Sequence, residues 1–318
     1  MQRFSVIIPL YNKAPYVAKT IESVLSQSFT DYELIIVDDG SSDHSADIAF
    51  QIISGHRNCQ LIRQENAGVS MARNKGVAAS HGDYLCFLDA DDWWEPTFLE
   101  EMDKQIDSYP DAGLYATNYV YYKPGKTHVA LNMKTGYITY PQAYLECVAM
   151  PVWTGAACMP RKVFDEMGGF LVGIKLGEDF LLWAKTALHY PVAFCEKPLA
   201  YYNNDVPASM RATRNLHAPQ HHMLFNLQPI EDDINHLQLT SNQLVDWKRL
   251  LDRLRVNGLI QYWLDNRYHA VAEEELKKVN WNIQPSKVTR PYKLPIWFLK
   301  TLRWLVEIGS ACKQKFNK

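Results

Sequence analysis

Along the first third of the chain, short apolar runs alternate with longer amphipathic ones. Phe4 to Pro9, Glu33 to Asp38, Cys59 to Arg63 and Asp83 to Leu88 are runs rich in β-branched, aromatic and aliphatic residues, too short for helices and bounded by turn residues. Between them, Pro15 to Gln27, Ser42 to Ser54 and Val69 to Ala79 carry apolar positions at helical spacing. Pro15 suits a first helical turn, and the Ser41-Ser42-Asp43 cluster offers capping oxygens to the second helix. This alternation predicts an α/β fold with a mostly parallel central sheet flanked by helices, because parallel strands need helical crossovers. Further on, Ala112 to Tyr122 reads as a strand, and Pro141 to Ala149, Val163 to Gly169 and Glu178 to His189 read as helices. Val192 to Glu196 and Leu199 to Tyr202 read as two closing strands. From about Leu216 the strand signals stop, and Gln243 to Asp265 and Tyr268 to Val279 read as helices. The expected organisation is an α/β domain over 1–215, in halves 1–110 and 111–215, followed by a helical C-terminal region over 216–318.

The tail changes the picture at the C-terminal end. From Pro295 to Ile308, Lys300, Arg303 and Glu307 form a narrow polar stripe on an otherwise aliphatic and Trp-rich helical wheel. Residues 290–318 hold seven Lys and Arg against one Glu. A basic, Trp-bearing amphipathic segment fits a helix lying at a membrane surface beside anionic lipids. Packing on the protein body or on a second subunit is the competing reading. The net charge of -2 argues against a broad basic nucleic-acid-binding surface. The six cysteines show no CxxC pair, so neither a disulfide framework nor a zinc site is expected. No signal-peptide pattern and no bilayer-length apolar run is seen, and the expected location is cytoplasmic, with the tail peripheral on the membrane.

Candidate chemistry concentrates where the predicted strands end. The run Tyr84-Leu85-Cys86-Phe87-Leu88 stops abruptly in Asp89-Ala90-Asp91-Asp92. Two carboxylates one residue apart can share Mg²⁺ or Mn²⁺ and leave positions open for phosphates; an acidic turn capping the next helix is the plainer reading. The first strand ends in Pro9-Leu10-Tyr11-Asn12, the second in Asp38-Asp39-Gly40-Ser41-Ser42-Asp43, and the third helix opens near Asn66-Ala67-Gly68 and carries Arg73. Parallel strands bring their C-terminal ends to one edge, so these groups are expected to converge. There is no GxGxxG after the first strand and no GxxxxGK, which disfavours dinucleotide and P-loop sites. Asp39 can accept from a pyrimidine imide, Tyr11 can lie against the base, Asp89 can accept from ribose, and Arg73 with a metal at Asp91 can offset a diphosphate.

The four segments Phe4 to Asn12, Ile35 to Asp43, Asn66 to Asn74 and Phe87 to Asp92 together resemble family 2 of the glycosyltransferases, in its order and spacing. The resemblance implies a GT-A fold and an inverting transfer from a nucleotide-sugar donor, assisted by Mn²⁺ or Mg²⁺. It implies Pro9, Tyr11, Asp39, Gly68 and Arg73 around the nucleotide in the first half, with Asp89 and Ala90 at the ribose and diphosphate and Asp91 on the metal. In the second half, Gly177-Glu178-Asp179-Phe180-x2-Trp183 matches the family's acidic pair, which makes Asp179 the expected catalytic base and Glu178 its companion. Trp153 stands where acceptor contacts are expected, with core packing as its alternative. Ser209 and Arg211 match only approximately a downstream diphosphate-binding stretch, and His217, His221 and His222 are further options. The Gln-x-x-Arg-Trp motif of processive members is absent after Asp179. The expected reaction is the movement of one sugar from a UDP-linked donor to a glycan or lipid-linked acceptor, as in bacterial surface polysaccharide assembly. A catalytically silent sugar-nucleotide-binding subunit is the alternative.

Overall fold

The computed structural model describes residues 2–147, 149–207, 210, 216–295, 297–299 and 301. Its first part runs β1 (Phe4–Leu10), α1 (Val17–Leu25), β2 (Tyr32–Asp39), α2 (Ser45–Ile53), β3 (Cys59–Gln64), α3 (Val69–Ala78) and β4 (Tyr84–Phe87). These strands pair in parallel in the order β3-β2-β1-β4, so Leu10, Asp39 and the acids after Phe87 reach one edge. Every residue of β2 is buried, as expected of a parallel strand covered on both faces. Helix α1 turns Val17, Thr20, Ile21 and Val24 inward at helical spacing.

The sheet continues through β5 (Trp93–Trp94), β6 (Leu114–Lys123), β7 (Lys126–Val129), β8 (Gly136–Ile138), β9 (Ala157–Pro160) and β10 (Val192–Asn203), with α4 (Phe98–Ser108), α5 (Tyr140–Glu146), α6 (Arg161–Met167) and α7 (Glu178–His189) between them. Strand β9 lies antiparallel between β4 and β6 and joins the two halves into one sheet. The two closing strands of the sequence reading are one strand, β10, parallel to β6. Pro198, which lacks a donor, is accommodated by register shifts on either side of it rather than by ending the strand.

Two compact units are present, Met1–Leu237 and Gln238–Lys318. The first includes α8 (Gln228–His236), which the sequence groups with the C-terminal region but which lies against α7 and buries Ile230 and Ile234. The second contains α9 (Ser241–Gly258), α10 (Ile260–Leu264), α11 (His269–Lys277) and α12 (Ser286–Thr289). The single helix expected over Gln243 to Asp265 breaks after Asn257-Gly258, both poor helix formers. Helix α9 starts with a reciprocal Thr240 and Gln243 capping box, and its buried Arg255 pairs with Glu275 of α11 at 3.1 Å. No helix of the described residues is long and apolar enough to cross a membrane. Of the basic tail, the stripe residues Lys300, Arg303 and Glu307 lie outside the described residues, while Trp297 is 70% exposed.

Candidate functional site

At the end of β1, Tyr11 is half exposed and Asn12 takes the left-handed φ of 51°. Asn is one of the few non-glycine residues that adopt that conformation readily, and here long-range bonds hold it there. Its Oδ1 accepts from the Ser42 N–H at 2.8 Å and the Asp43 N–H at 3.3 Å, while its own N–H donates to Ser41 Oγ. The loop after β2 is thereby hung on the end of β1. The N-cap position of α2 is His44, whose side chain makes no capping bond; of the Ser41 to Asp43 cluster it is Asp43 that supplies the oxygen, its carboxylate accepting from the Ser45 N–H that opens α2 and from the Ala14 N–H.

Asp39, at the end of β2, is buried and heavily engaged. Its Oδ1 accepts from Gln64 Nε2 at 2.7 Å and the Ala67 N–H at 2.8 Å, and its Oδ2 accepts from the Gly68 N–H at 2.8 Å. A carboxylate has about four acceptor directions, and these bonds use three of them, leaving one on Oδ2. Gly68 holds φ at 90°, a conformation that glycine alone adopts without strain, and this turns its N–H toward Asp39. Pro9 is partly buried in β1, level with Val37 of β2.

The acidic tip sorts its four residues by environment. Ala90 is buried and Asp89 is one-third exposed, with its Oδ1 accepting from Arg73 Nη2 at 2.7 Å. Asp91 accepts from Lys13 Nζ at 2.5 Å, in a pair only about one-sixth exposed on either side. Burial raises the Asp91 pKa, and the Lys13 ammonium works against that rise. Asp92 is not the helix cap that the plainer reading suggests, since α4 has Thr97 at its N-cap. Its carbonyl accepts from Thr20 Oγ1 at 2.7 Å and its Oδ1 from the Asn203 N–H at 2.7 Å, tying α1 and β10 to the tip. Burial, then the Asp91 and Asp89 charges, push its carboxyl pKa well up.

Arg73 links this edge to the second half. It is 2% exposed, donates through Nη1 to Glu178 at 2.8 Å and through Nη2 to Asp89, and lies 5.0 Å over the Phe170 ring. It is therefore committed to two carboxylates rather than turned to solvent. Burial, followed by the Asp179 charge, raises the Glu178 pKa, and Arg73 holds that rise back.

Asp179 heads α7, where the helix N-terminus favours acids. Its Oδ2 accepts from Thr154 Oγ1 at 2.9 Å and its Oδ1 from the Phe180 N–H at 2.7 Å. Gly177 before it has φ of 83°, and a Cβ there would stand 2.4 Å from Met223 Sδ. Trp153 is 3% exposed, with its ring against Tyr119 and Tyr202. This corrects the acceptor-stacking option: the indole is a wall packed over Gly155, whose Cβ would meet it at 2.4 Å. Ser209 and Arg211 lie outside the described residues. His221 and His222 sit on a segment that clamps the chain leading into α7. The His221 ring bonds the Gly173 carbonyl at 2.7 Å, Lys175 donates to the His221 carbonyl, and Met223 donates to the Leu176 carbonyl.

Burial, with His217 nearby, lowers the His222 pKa to about 4. An unfolded histidine titrates near about 6.5, so the unfolded chain takes up this proton first. The clamp's stability is complete above that pH and is lost as the pH falls toward 4. The melting temperature is expected to drop between about pH 7 and pH 5, and to drop less in His222→Gln. Equal drops in the two proteins would acquit this histidine.

The sequence does not single out Lys13, and it places Thr154 only in the stretch beside Trp153 where acceptor contacts are expected, with no role at Asp179. Neither belongs to an acidic or glycine-rich pattern, and each acquires meaning only through a distant carboxylate.

A sequence profile for Glycosyl transferase family 2 matches residues 5–168, just over half of the chain. GlyA of Streptococcus pneumoniae is 37% identical over 117 residues, covering 37% of this chain and 17% of that protein. YibD of Escherichia coli K12, described as an uncharacterized glycosyltransferase, is 33% identical over 162 residues, covering 49% of this chain and 47% of that protein. The chain thus spans less than half the length of either relative. Among solved structures, S. aureus TarS 1-349 in complex with UDP-GlcNAc superposes with a TM-score of 0.73 at 18% identity, over 91% of this chain and 83% of that one.

Proposed function

Because the chain belongs to family 2 of the glycosyltransferases and has their GT-A fold, we propose that it is an inverting, metal-dependent, non-processive enzyme that moves one sugar from a UDP-linked donor to a glycan or lipid-linked acceptor. The observation that carries this reading is the Asp89–Arg73–Glu178 bridge. It holds the acidic pair at the head of α7 beside the strand edge where Asp39, Asp89 and Asp91 emerge. UDP-GlcNAc in the TarS structure supports a uridine donor.

Asp179 takes the proton of the acceptor hydroxyl as its oxygen bonds to the anomeric carbon, and Thr154 orients the carboxylate. The bond to the diphosphate breaks on the opposite face, its electron pair leaves with the phosphate oxygen, and the configuration inverts. Asp39 and Tyr11 hold the base, and Asp89 the ribose.

Asp91, with Asp89 beside it, offers hard oxygen donors that suit Mg²⁺ or Mn²⁺. Among the described residues no group of three His, Cys, Asp or Glu forms a preformed metal cage. That fits a site in which the protein gives one or two carboxylates and the nucleotide's phosphates the rest. When bound, the ion neutralises charge on the departing diphosphate. The test is calorimetry of UDP with and without Mn²⁺. Mn²⁺ is expected to strengthen UDP binding at least about tenfold in the wild type and not in Asp91→Asn; equal binding in both would remove Asp91 from the metal.

The basic segment 290–318, with Trp297 and Phe298 exposed, supports contact with an anionic membrane surface on which a lipid-linked acceptor would lie. A panel of UDP-sugars assayed for hydrolysis will identify the sugar.

A further inference from the structure

Lys13 occupies a position that the transfer reaction does not explain. Its backbone N–H donates to Ser45 Oγ at 2.7 Å, which fixes the turn after β1 against the start of α2. Its side chain then runs to the acidic tip, where Nζ is 2.5 Å from Asp91 Oδ2 and 3.5 Å from the Met210 carbonyl oxygen. Both partners of the pair are largely withdrawn from water. A charge-assisted bond in such a setting is stronger than a surface ion pair and resists salt.

We propose that Lys13 is a built-in counter-cation that holds the Asp91 carboxylate against free divalent ions and releases it when a nucleotide diphosphate arrives. This rests on Asp91 being the metal ligand, as proposed above. Asp89 already pairs with Arg73 and Asp92 turns inward to the Asn203 N–H, so Asp91 is the carboxylate of the tip left for an ion, and Lys13 offsets its charge. An ammonium and a divalent ion repel one another at the separation of two ligands on one carboxylate, so the two compete for Asp91. A diphosphate brings new negative oxygens to the same strand edge and gives the displaced ammonium a partner. Metal and nucleotide binding are thereby coupled through a side chain of the protein, and by linkage the coupling is the same whichever binds first.

The experiment titrates the full chain with Mn²⁺ alone, and again with saturating UDP, following free Mn²⁺ by electron paramagnetic resonance. Without UDP, Lys13→Gln is expected to bind Mn²⁺ about tenfold or more tightly than the wild type, and UDP should then add correspondingly less. Lys13→Arg keeps the charge and should keep the wild-type values. Equal or weaker Mn²⁺ binding by Lys13→Gln, or tight nucleotide-free binding by Lys13→Arg, overturns the proposal even if only one variant folds. If wild-type Mn²⁺ binding is the same in Asp91→Asn with UDP present, the metal assignment itself fails, and this proposal with it.

Discussion

Asp179→Asn is expected to lower kcat for sugar transfer by about 10³, while UDP affinity changes less than about twofold. A positioned general base contributes about 10² to 10⁴, and asparagine keeps the shape and the Thr154 hydrogen bond but cannot accept the acceptor's proton. The carboxylate is held on both oxygens, by Thr154 and by the first turn of α7, so the substitution removes chemistry rather than placement. Thr154→Val separates the two contributions. It leaves the proposed base but frees its orientation, and a loss of about tenfold in kcat with little change in KM is expected. Transfer by Asp179→Asn within tenfold of wild type would move the base to another residue, with Glu178 the nearest carboxylate in sequence.

Arg73→Met is expected to destabilise the fold by about 3 to 5 kcal/mol. Arg73 is buried between Asp89 and Glu178, and its removal leaves Glu178 as a buried acid without its cation. A domain of this size loses roughly 2 to 4 °C of melting temperature per kcal/mol, so a fall of about ten degrees is the readout. Arg73→Met combined with Glu178→Gln should recover part of that fall, because the stranded charge is gone. No recovery would mean that the loss is one of packing against Phe170. The single substitution should also abolish transfer, since Asp89 and the head of α7 lose their common tether. A surface guanidinium facing only a diphosphate would show neither the melting shift nor the rescue.

Much of the first half was legible because its signals are local. The apolar runs of β1 to β4 and the helical spacing between them lie within three residues of the observed elements, and the parallel order follows from the need to cross over. Glu178 to His189 is read with its observed limits because Gly177 precedes it and its apolar positions repeat at helical spacing. Strand β9 leaves no mark in the sequence, because four residues leading into a helix carry no periodicity and its pairing partners β4 and β6 are far away along the chain. In sequence Trp93-Trp94 reads only as the end of a motif, although as β5 it borders β10.

The acids at the strand ends show the same division. That Asp39, Asp89 and Asp91 reach one edge follows from sequence, since parallel strands all end on the same side. What each acid touches was decided by the tertiary structure. Asp92 turns inward to Thr20 and Asn203, Asp91 meets Lys13 from 78 positions away, and Arg73 reaches Glu178 across 105. Periodicity and motif order are properties of neighbouring residues and survive in a linear string. The partner of a buried charge is chosen by packing between distant segments, where desolvation makes one ion pair favourable and an unpaired charge costly, and only the folded chain specifies that.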